Sequence, residues 1–152
     1  MKMSIDTLRN INNLNCFQKG KEAVNLRNKL PEGTIIRLIS MNEDPRPVLS
    51  GSYGVVKSID DLCQIHMEWE DGSNLALVPG IDDFEVLGRC FFNYNEDEYW
   101  SEEDIRTLYK ENQSEGLNKD DSLEDFINSL LTENTFDMCR TAKDIPVYLM
   151  EN

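Results

Sequence analysis

The amino-acid sequence predicts an α+β fold in which a small β-barrel lies between an N-terminal helical segment and a C-terminal acidic helical hairpin. Apolar residues recur at helical spacing near both ends of the chain. Short β-branched segments separated by turn residues occupy the middle. A chain of 152 residues is long enough to bury about 70% of its unfolded surface without disulfides or metals. We therefore divide it into residues 1–32, 33–89 and 90–152.

The first segment is predicted to be helical. Ile5, Leu8 and Ile11 recur at helical spacing. The pattern resumes at Ala23 after a break near Gly20. We therefore expect two short helical stretches before the first strand.

Five short strands are predicted in the second segment. They are TIIRLISM (34–41), YGVVKSI (53–59), LCQIHMEW (62–69), NLALVPG (74–80) and FEVL (84–87). The third alternates in polarity and places Trp69 on its apolar face, where we expect it in the core. Asp71-Gly72 follows it and is a strong hairpin signal. Strands of this length around a tight hairpin are typical of a small SH3-like barrel.

The third segment is predicted to form a helical hairpin. Ser101 and Ser122 each precede an aspartate by three residues, a pattern close to a capping box at a helix start. Apolar residues follow both at helical spacing. The closing stretch DIPVYLMEN (144–152) could add one edge strand.

Charge is distributed unevenly along the chain. Residues 1–30 have a net charge of +4, residues 31–89 of −7 and residues 90–152 of −11, which gives −14 in total. An acidic body repels nucleic acids and membrane surfaces and attracts basic protein surfaces. We therefore expect no direct nucleic-acid or membrane binding by the acidic body, and a basic protein partner.

The sequence predicts a cytoplasmic protein. No apolar run approaches the roughly 18 residues of a membrane span, and the N-terminus is too polar for a signal peptide. The four cysteines are Cys16, Cys63, Cys90 and Cys139. Their wide spacing, without an export signal, favours reduced thiols.

Few residues offer enzymatic chemistry. His66 is the single histidine, and its strand parity is opposite to that of Cys63, which argues against a nucleophile–base pair. Asp60-Asp61 and Asp82-Asp83 could bind a divalent cation, although their spacing does not match an EF-hand loop. We expect no enzyme, no cofactor and no metal. The remaining alternative is a small hydrolase that uses His66 or a carboxylate pair.

Residues 33–86 carry a set of positions that point to a known family. They are Gly33-Thr34, Arg37 to Met41, Asp44-Pro45, Gly51, Gly54 to Val56, Asp60-Asp61, Ile65-His66, Trp69, Asp71-Gly72, Leu75, Leu77, Pro79-Gly80, Asp83 and Phe84. This segment resembles a family of small uncharacterised domains found mainly in phages, plasmids and conjugative elements of Gram-positive bacteria. The resemblance implies cargo of a mobile element. Many small acidic proteins of such elements are anti-defence factors, including anti-CRISPR and antirestriction inhibitors.

The stretch NEDEYWSEED (95–104) is the candidate partner-binding surface. A cap at Ser101 accounts for the acids in the first helical turn, whereas the acids before it gain nothing from that cap. If the two helices pack antiparallel, their acidic starts lie at opposite ends, about 15–20 Å apart. The candidate residues are Glu96, Asp97, Glu98, Tyr99, Trp100, Glu102, Glu103, Asp104, Glu111, Asp120, Asp121, Glu124 and Asp125.

These acids could imitate the phosphates of duplex DNA, with Tyr99 and Trp100 as anchors at the interface. The alternative is that the acids are solvated helix faces. We expect a non-enzymatic anti-defence inhibitor in the bacterial host cell that binds the basic nucleic-acid groove of a nuclease. A Cas nuclease is favoured over a restriction enzyme. The alternative function is an SH3-like adaptor or regulatory module that binds a replication or conjugation protein.

Overall fold

The computed structural model of the chain describes residue 11 and residues 13–150. The helices and strands in chain order are α1 (Cys16–Lys29), β1 (Ile35–Ser40), β2 (Tyr53–Ile59), β3 (Ile65–Trp69), β4 (Asp83–Gly88), β5 (Cys90–Asn93), β6 (Glu98–Ser101), α2 (Glu102–Ser114), α3 (Leu123–Thr132), β7 (Phe136–Met138), a 3-10 helix (Ala142–Asp144) and α4 (Val147–Met150). The predicted α+β class is confirmed.

These elements fall into two units. The large unit contains the described residues up to Gly88 and those from Arg140 onward. The acidic unit contains Arg89–Cys139. The large unit therefore contains α1, the first four strands and the C-terminal helical turns, whereas the acidic unit contains the remaining three strands and two helices.

The large unit contains an antiparallel sheet with the strand order β3-β2-β1-β4. No closed barrel is seen among the described residues. The predicted strand 74–80 is reduced to isolated bridges, one of them between Ile65 and Leu77. Pro79 has no N–H with which to extend a ladder. The predicted strand 62–69 begins only at Ile65, because Cys63 adopts a turn with a φ of 65°.

The core of the large unit lies between α1 and the sheet. Trp69 is only 1% exposed, and its indole N–H donates to the carbonyl of Leu75 at 2.9 Å. Gly54 lies directly against this ring, since a Cβ at that position would be 2.6 Å from Trp69 Cε3. The expectation that Trp69 is a core residue is therefore confirmed. The absence of a side chain at Gly54 leaves the space that the indole ring occupies.

Helix α1 continues through the expected break. A capping box starts it, in which the side chains of Asn15 and Gln18 each accept the other residue's backbone N–H. Gly20 then lies inside the helix, so the predicted break is wrong. The burial of Ala23 and Leu26 against the core stabilises the helix across this glycine. The predicted helical positions at residues 5 and 8 lie outside the described residues.

The acidic unit is built from a sheet with the order β6-β5-β7 and from helices α2 and α3. Its core consists of Phe91, Ile105, Phe126, Ile127 and Phe136. Both helices begin with the predicted capping boxes. The three strands were not predicted, because each has only three or four residues and too little alternation to show a period.

The C-terminal stretch is helical, so the predicted edge strand is wrong. It contains the 3-10 helix and α4. Pro146 starts the last turn, and its carbonyl accepts the N–H of Leu149 at 3.1 Å. Proline favours the first position of a helix and removes a donor from a strand. None of the helices in the described part of the chain is long and apolar enough to span a membrane.

Candidate functional site: the acidic groove

Two of the candidate acids lie at the tip of the hairpin that joins β5 to β6. Asp97 has a left-handed φ of 53°, and the side-chain oxygen of Asn93 accepts the backbone N–H groups of Asn95 and Glu96. The turn therefore holds Glu96 and Asp97 in solvent. A hydrogen bond between the carboxyl groups of Glu96 and Glu98 raises the pKa of Glu96 above its usual value.

A buried arginine joins the first turns of the two helices. The side chain of Arg89 is 5% exposed. Its Nε donates to Glu102, and its Nη1 and Nη2 donate to the two oxygens of Glu124 at 2.9 and 2.6 Å. Burial opposes the charge, but the hydrogen bonds to both carboxylates outweigh it and raise the pKa of Arg89. We refer to this arrangement as the Arg89 node.

The Arg89 node overturns the expected separation of the acidic helix starts. Glu102 opens α2 and Glu124 lies in the first turn of α3, yet both bind the same guanidinium group. The two starts therefore meet, instead of lying at opposite ends of antiparallel helices. A buried cation requires anionic partners, and it draws both helix starts toward itself.

Several other candidate acids have local roles in the acidic unit. Glu103 lies 3.8 Å from the exposed Arg106, and Asp125 accepts the backbone N–H of Ser122 in its capping box. Asp121 contributes its carbonyl as the acceptor for the Tyr109 hydroxyl. Asp120 is exposed next to it in the connection between the helices. These acids lie at or next to the two helix starts, and most of them have a partner within the unit.

The remaining candidates line one open groove of about 510 Å³, which we call the acidic groove. Its lining residues are Glu98, Tyr99, Trp100, Asp104, Thr107, Leu108 and Glu111. The last four are spaced i, i+3, i+4 and i+7 and therefore form one face of α2. The first three are consecutive in β6, the end strand of its sheet. Since consecutive residues point to opposite faces of a sheet, a groove lined by all three follows the outer edge of β6.

The two aromatic candidates do not form a common platform. Trp100 packs edge-on against Phe136 with ring centroids 5.2 Å apart, and its indole N–H donates to Glu98 Oε1 at 3.0 Å. Tyr99 packs against Phe92 with centroids 5.1 Å apart. Neighbouring strand positions have opposite directions, so the rings lie on opposite faces of the sheet.

Three carboxylates that line the acidic groove take no part in an ion pair within the described part of the chain. Glu98, Asp104 and Glu111 form no ion pair with any described residue. The groove belongs to a unit with fourteen Asp/Glu and four Lys/Arg, a net charge of −10. Its negative potential is therefore not neutralised from within, and the groove can accept a positively charged group.

Sequence reasoning missed the residues that assemble this site. Arg89 is not among the predicted site residues, although an arginine at the edge of a strongly acidic segment is a signal for a buried ion pair. Thr107 and Leu108 belong to the groove because of the helical spacing that starts at Asp104. That spacing was visible, but its pairing with β6 was not.

The carboxylates considered for chemistry in the large unit have structural roles. Asp60 Oδ2 lies 2.9 Å from His66 Nε2, while its Oδ1 accepts the N–H groups of Leu62 and Gln64. Burial opposes this charge, but hydrogen bonds from Gln64, His66 and Leu62 outweigh it and lower the pKa of Asp60. The thiol of Cys63 donates to a backbone carbonyl, and burial raises its pKa.

In the second acidic pair of the large unit, Asp82-Asp83, the first residue also has a structural role. Asp82 is 4% exposed and accepts the backbone N–H groups of Asn42 and Val78 at 3.0 and 2.8 Å. In the described part of the chain, no group of three or more His, Cys, Asp or Glu side chains is arranged to hold a metal ion. Asp82 therefore holds two loop segments together.

The comparison with protein families found a match to part of the large unit. Residues 19–87 match the family described as "Domain of unknown function (DUF4314)". The expected similarity to a family of unknown function is thus supported for this part of the chain. The match ends before the acidic unit begins. No curated protein and no solved structure matches the chain.

Proposed function

We propose that this protein is a non-enzymatic anti-defence inhibitor of a mobile element, active in the cytoplasm of the bacterial host. Its acidic unit would occupy the basic nucleic-acid groove of a defence nuclease, a Cas nuclease first and a restriction enzyme second. The observation that carries the proposal is the acidic groove, where three carboxylates without a cation line one surface of a unit with a net charge of −10.

The exposure and hydrogen bonds of the carboxylates favour a role in binding over a role in catalysis. Paired-acid catalysis needs one carboxyl group whose environment keeps it protonated near neutral pH. Glu96 and Glu98, the acids that share a hydrogen bond, are exposed at a hairpin. Asp104 is occupied by the backbone N–H of Ser101 in its capping box. Such groups present negative charge to a partner, which is the role that we propose for them.

The Arg89 node limits which acids can imitate DNA. Glu102 and Glu124 are bound to Arg89 and cannot offer their full charge to a partner. The acids that remain on the β6 side of the unit are those of the hairpin tip and of the acidic groove. A DNA mimic in this protein would therefore be a compact patch of charge rather than an extended phosphate track. Association with a basic groove would be steered by electrostatics and weakened by salt.

A second candidate function, the adaptor, is favoured by a different observation. Phe17 and Val24 are 74% and 53% exposed on α1, and Lys21 Nζ lies 4.8 Å from the Phe17 ring centroid. An exposed apolar and basic helix face is typical of a protein-binding surface. In this reading the large unit would act as an adaptor that binds a replication or conjugation protein through this helix face.

Capture of the partner tests the proposal. The tagged full chain would be incubated with lysate of a host that carries CRISPR and restriction systems, eluted in salt steps with duplex DNA as competitor, and then added to a cleavage assay of the captured nuclease. We expect a nuclease that DNA displaces and whose cleavage the protein inhibits. Capture of a replication or conjugation protein that DNA does not displace would support the adaptor instead.

Two pairs of glutamate-to-lysine substitutions, one in the acidic groove and one elsewhere, would test whether the acidic groove is the binding surface. We expect the pair Glu98→Lys and Glu111→Lys to weaken inhibition by about tenfold or more, because steering by a charged cleft changes association by 10 to 1,000 times. The control pair Glu32→Lys and Glu43→Lys makes the same charge change at exposed positions of the large unit. Equal losses for both pairs would show that net charge, and not the acidic groove, controls binding.

A further inference from the structure

We propose that Cys90 and Cys139 are a thiol pair that hydrogen peroxide converts into a disulfide between the two ends of the acidic unit. Both residues are buried, free cysteines in the structure. Cys90 is the first residue of β5, and Cys139 follows directly after β7. This modification concerns the acidic unit itself and does not depend on the nuclease proposed as its partner.

The sheet of the acidic unit places the two cysteines opposite each other. Strands β5 and β7 are antiparallel, and their register pairs Phe91 with Met138. One position further in the same register, Cys90 is opposite Cys139. The backbone N–H of Cys139 donates to the carbonyl of Cys90 at 2.9 Å, so the pairing extends to these two residues. Opposite residues of an antiparallel pair have their side chains on the same face of the sheet.

The separation of the two backbones suits a disulfide. Opposite residues that are joined by backbone hydrogen bonding have Cα atoms about 5.5 Å apart. The Cα atoms of disulfides are usually about 4.4–6.8 Å apart, most often near 5.5–6 Å. Closure of the bridge therefore needs rotation of the two side chains and only a small movement of the strands.

The other two cysteines lie in the large unit. Cys16 is exposed at the start of α1. Cys63 is buried, and its thiol donates to the carbonyl of Lys19 at 3.1 Å. Neither residue belongs to the strands that hold Cys90 and Cys139. The fold therefore selects one pair of thiols.

Cys139 is the thiol that an oxidant would reach first. It is 6% exposed, compared with 2% for Cys90, and the next residue, Arg140, is exposed. Strand β7 has only three residues and ends before Cys139. Opening of this strand end is a local event that leaves the core of the unit in place, and hydrogen peroxide is small enough to enter through it.

The reaction has two steps, and peroxide is its only co-reactant. The Cys139 thiol attacks hydrogen peroxide, the O–O bond breaks, and a sulfenic acid and one water molecule form. The Cys90 thiol then attacks the Cys139 sulfur, the S–S bond forms as the S–O bond breaks, and a second water molecule leaves with the Cys90 proton. The two thiols together lose two electrons, which reduce the peroxide to water.

The bridge would close a loop that contains almost the whole acidic unit. Cys90 and Cys139 are 49 positions apart, and the unit begins at Arg89 and ends at Cys139. A disulfide across a long loop restricts the unfolded chain and thereby stabilises the folded one. Oxidation would therefore stabilise the acidic unit, and a thiol reductant would reverse the effect.

The test is peptide mapping of the full chain after treatment with hydrogen peroxide, alkylation of the remaining thiols in urea and digestion with trypsin. Each of the tryptic peptides 90–106 and 120–140 contains one cysteine. We expect these two peptides to be joined, with a mass two hydrogen atoms below their sum, and Cys16 and Cys63 to be alkylated. Dithiothreitol should restore both separate peptides.

Two controls separate the folded geometry from chance pairing. Oxidation in urea should lose this selectivity, since an unfolded chain closes the shorter loop between Cys63 and Cys90, 27 positions apart, more readily. Cys16→Ser removes the exposed thiol and should leave the link intact, whereas Cys90→Ala should leave Cys139 unlinked. Alkylation of both cysteines after peroxide, separate sulfinic acids, or an equal yield of the link in urea would each overturn the proposal.

Urea unfolding of the oxidised chain checks the consequence for stability. The indole N–H signal of Trp100 reports the acidic unit, and that of Trp69, which is buried in the large unit, is the internal reference. We expect oxidation to raise the urea midpoint of the Trp100 signal by about 1 M or more and to leave that of Trp69 unchanged. Equal midpoints for the Trp100 signal before and after oxidation would refute the stabilising role of the bridge.

Discussion

The two units of this protein use their carboxylates differently. The large unit has eleven Lys/Arg and fifteen Asp/Glu, and among its acids Asp60, Asp71 and Asp82 accept backbone N–H groups in turns and loops. The acidic unit has only four basic residues for fourteen acids. One of these, Arg89, binds two of the acids. Glu103 pairs with Arg106, and Asp104 and Asp125 accept backbone N–H groups at the helix starts, so the charge left for a partner is that of acids such as Glu98 and Glu111.

The units also differ in what holds them together. Sixteen of the described residues of the large unit form a buried core between α1 and its sheet. The acidic unit has a core of five buried residues, supplemented by partly buried side chains. A small core supplies little stability, so a buried ion pair has more weight there. We therefore expect the Arg89 node to contribute more to the stability of the acidic unit than any ion pair contributes to that of the large unit.

The largest effect is expected from Arg89→Ala. Removal of the buried cation leaves Glu124 without a cation and Glu102 with only the longer contact to Arg106, which we expect to destabilise the acidic unit by about 3 kcal/mol. Urea unfolding followed by the indole N–H signals of Trp69 and Trp100 would report each unit separately. Arg106→Ala is the control, since its contacts with Glu102 and Glu103 are long, at 3.7 and 3.8 Å, and the Arg106 side chain is exposed, so they are worth about 0.5 kcal/mol. Equal losses for both variants would refute the structural role of the Arg89 node.

A second substitution, Gly54→Ala, is expected to destabilise the large unit instead of the acidic unit. A Cβ at Gly54 would be 2.6 Å from Trp69 Cε3 and 3.0 Å from the carbonyl of Glu68, so we expect Gly54→Ala to cost about 2 kcal/mol. The signal of Trp69 should be lost at lower urea, with that of Trp100 less affected. Gly20→Ala is the matched control, because nothing lies within 4 Å of its Cβ. It should stabilise α1 by about 0.5–1 kcal/mol.

The smallest effects concern pH and have opposite signs in the two units. The pKa of Asp60 is lowered from 3.8. Its contribution to stability is therefore present above that value and is lost as the pH falls through the folded pKa. The pKa of Glu96 is raised from 4.5. Its contribution is therefore present below that value and is lost as the pH rises through the folded pKa.

NMR titration of the two carboxyl groups would check these directions. We expect a midpoint below 3.8 for Asp60 and above 4.5 for Glu96. In Glu98→Gln the midpoint of Glu96 should fall, because the neighbouring carboxyl group that shares its proton is gone. A midpoint that does not move would contradict the contact between these two side chains at the hairpin.

Local features of the fold followed from the sequence alone. The capping boxes at Ser101 and Ser122 are determined within four residues, and the alternation of β3 is determined by a two-residue period. Both features depend only on geometry inside one helix or strand, so the residues of that helix or strand are enough to predict them. The acidic character of the C-terminal half also followed from composition.

Only the tertiary structure decided where these elements meet. Arg89 binds residues 13 and 35 positions away, and the acidic groove joins the edge of β6 to one face of α2. Strands β5 and β7 are too short to be predicted from their own residues, and only their pairing in the structure defines them. Contacts over such separations depend on which surfaces pack, and the apolar or charged character of a residue does not specify its partner. The sequence therefore determined how much charge the protein has, and packing decided which part of that charge is available for binding.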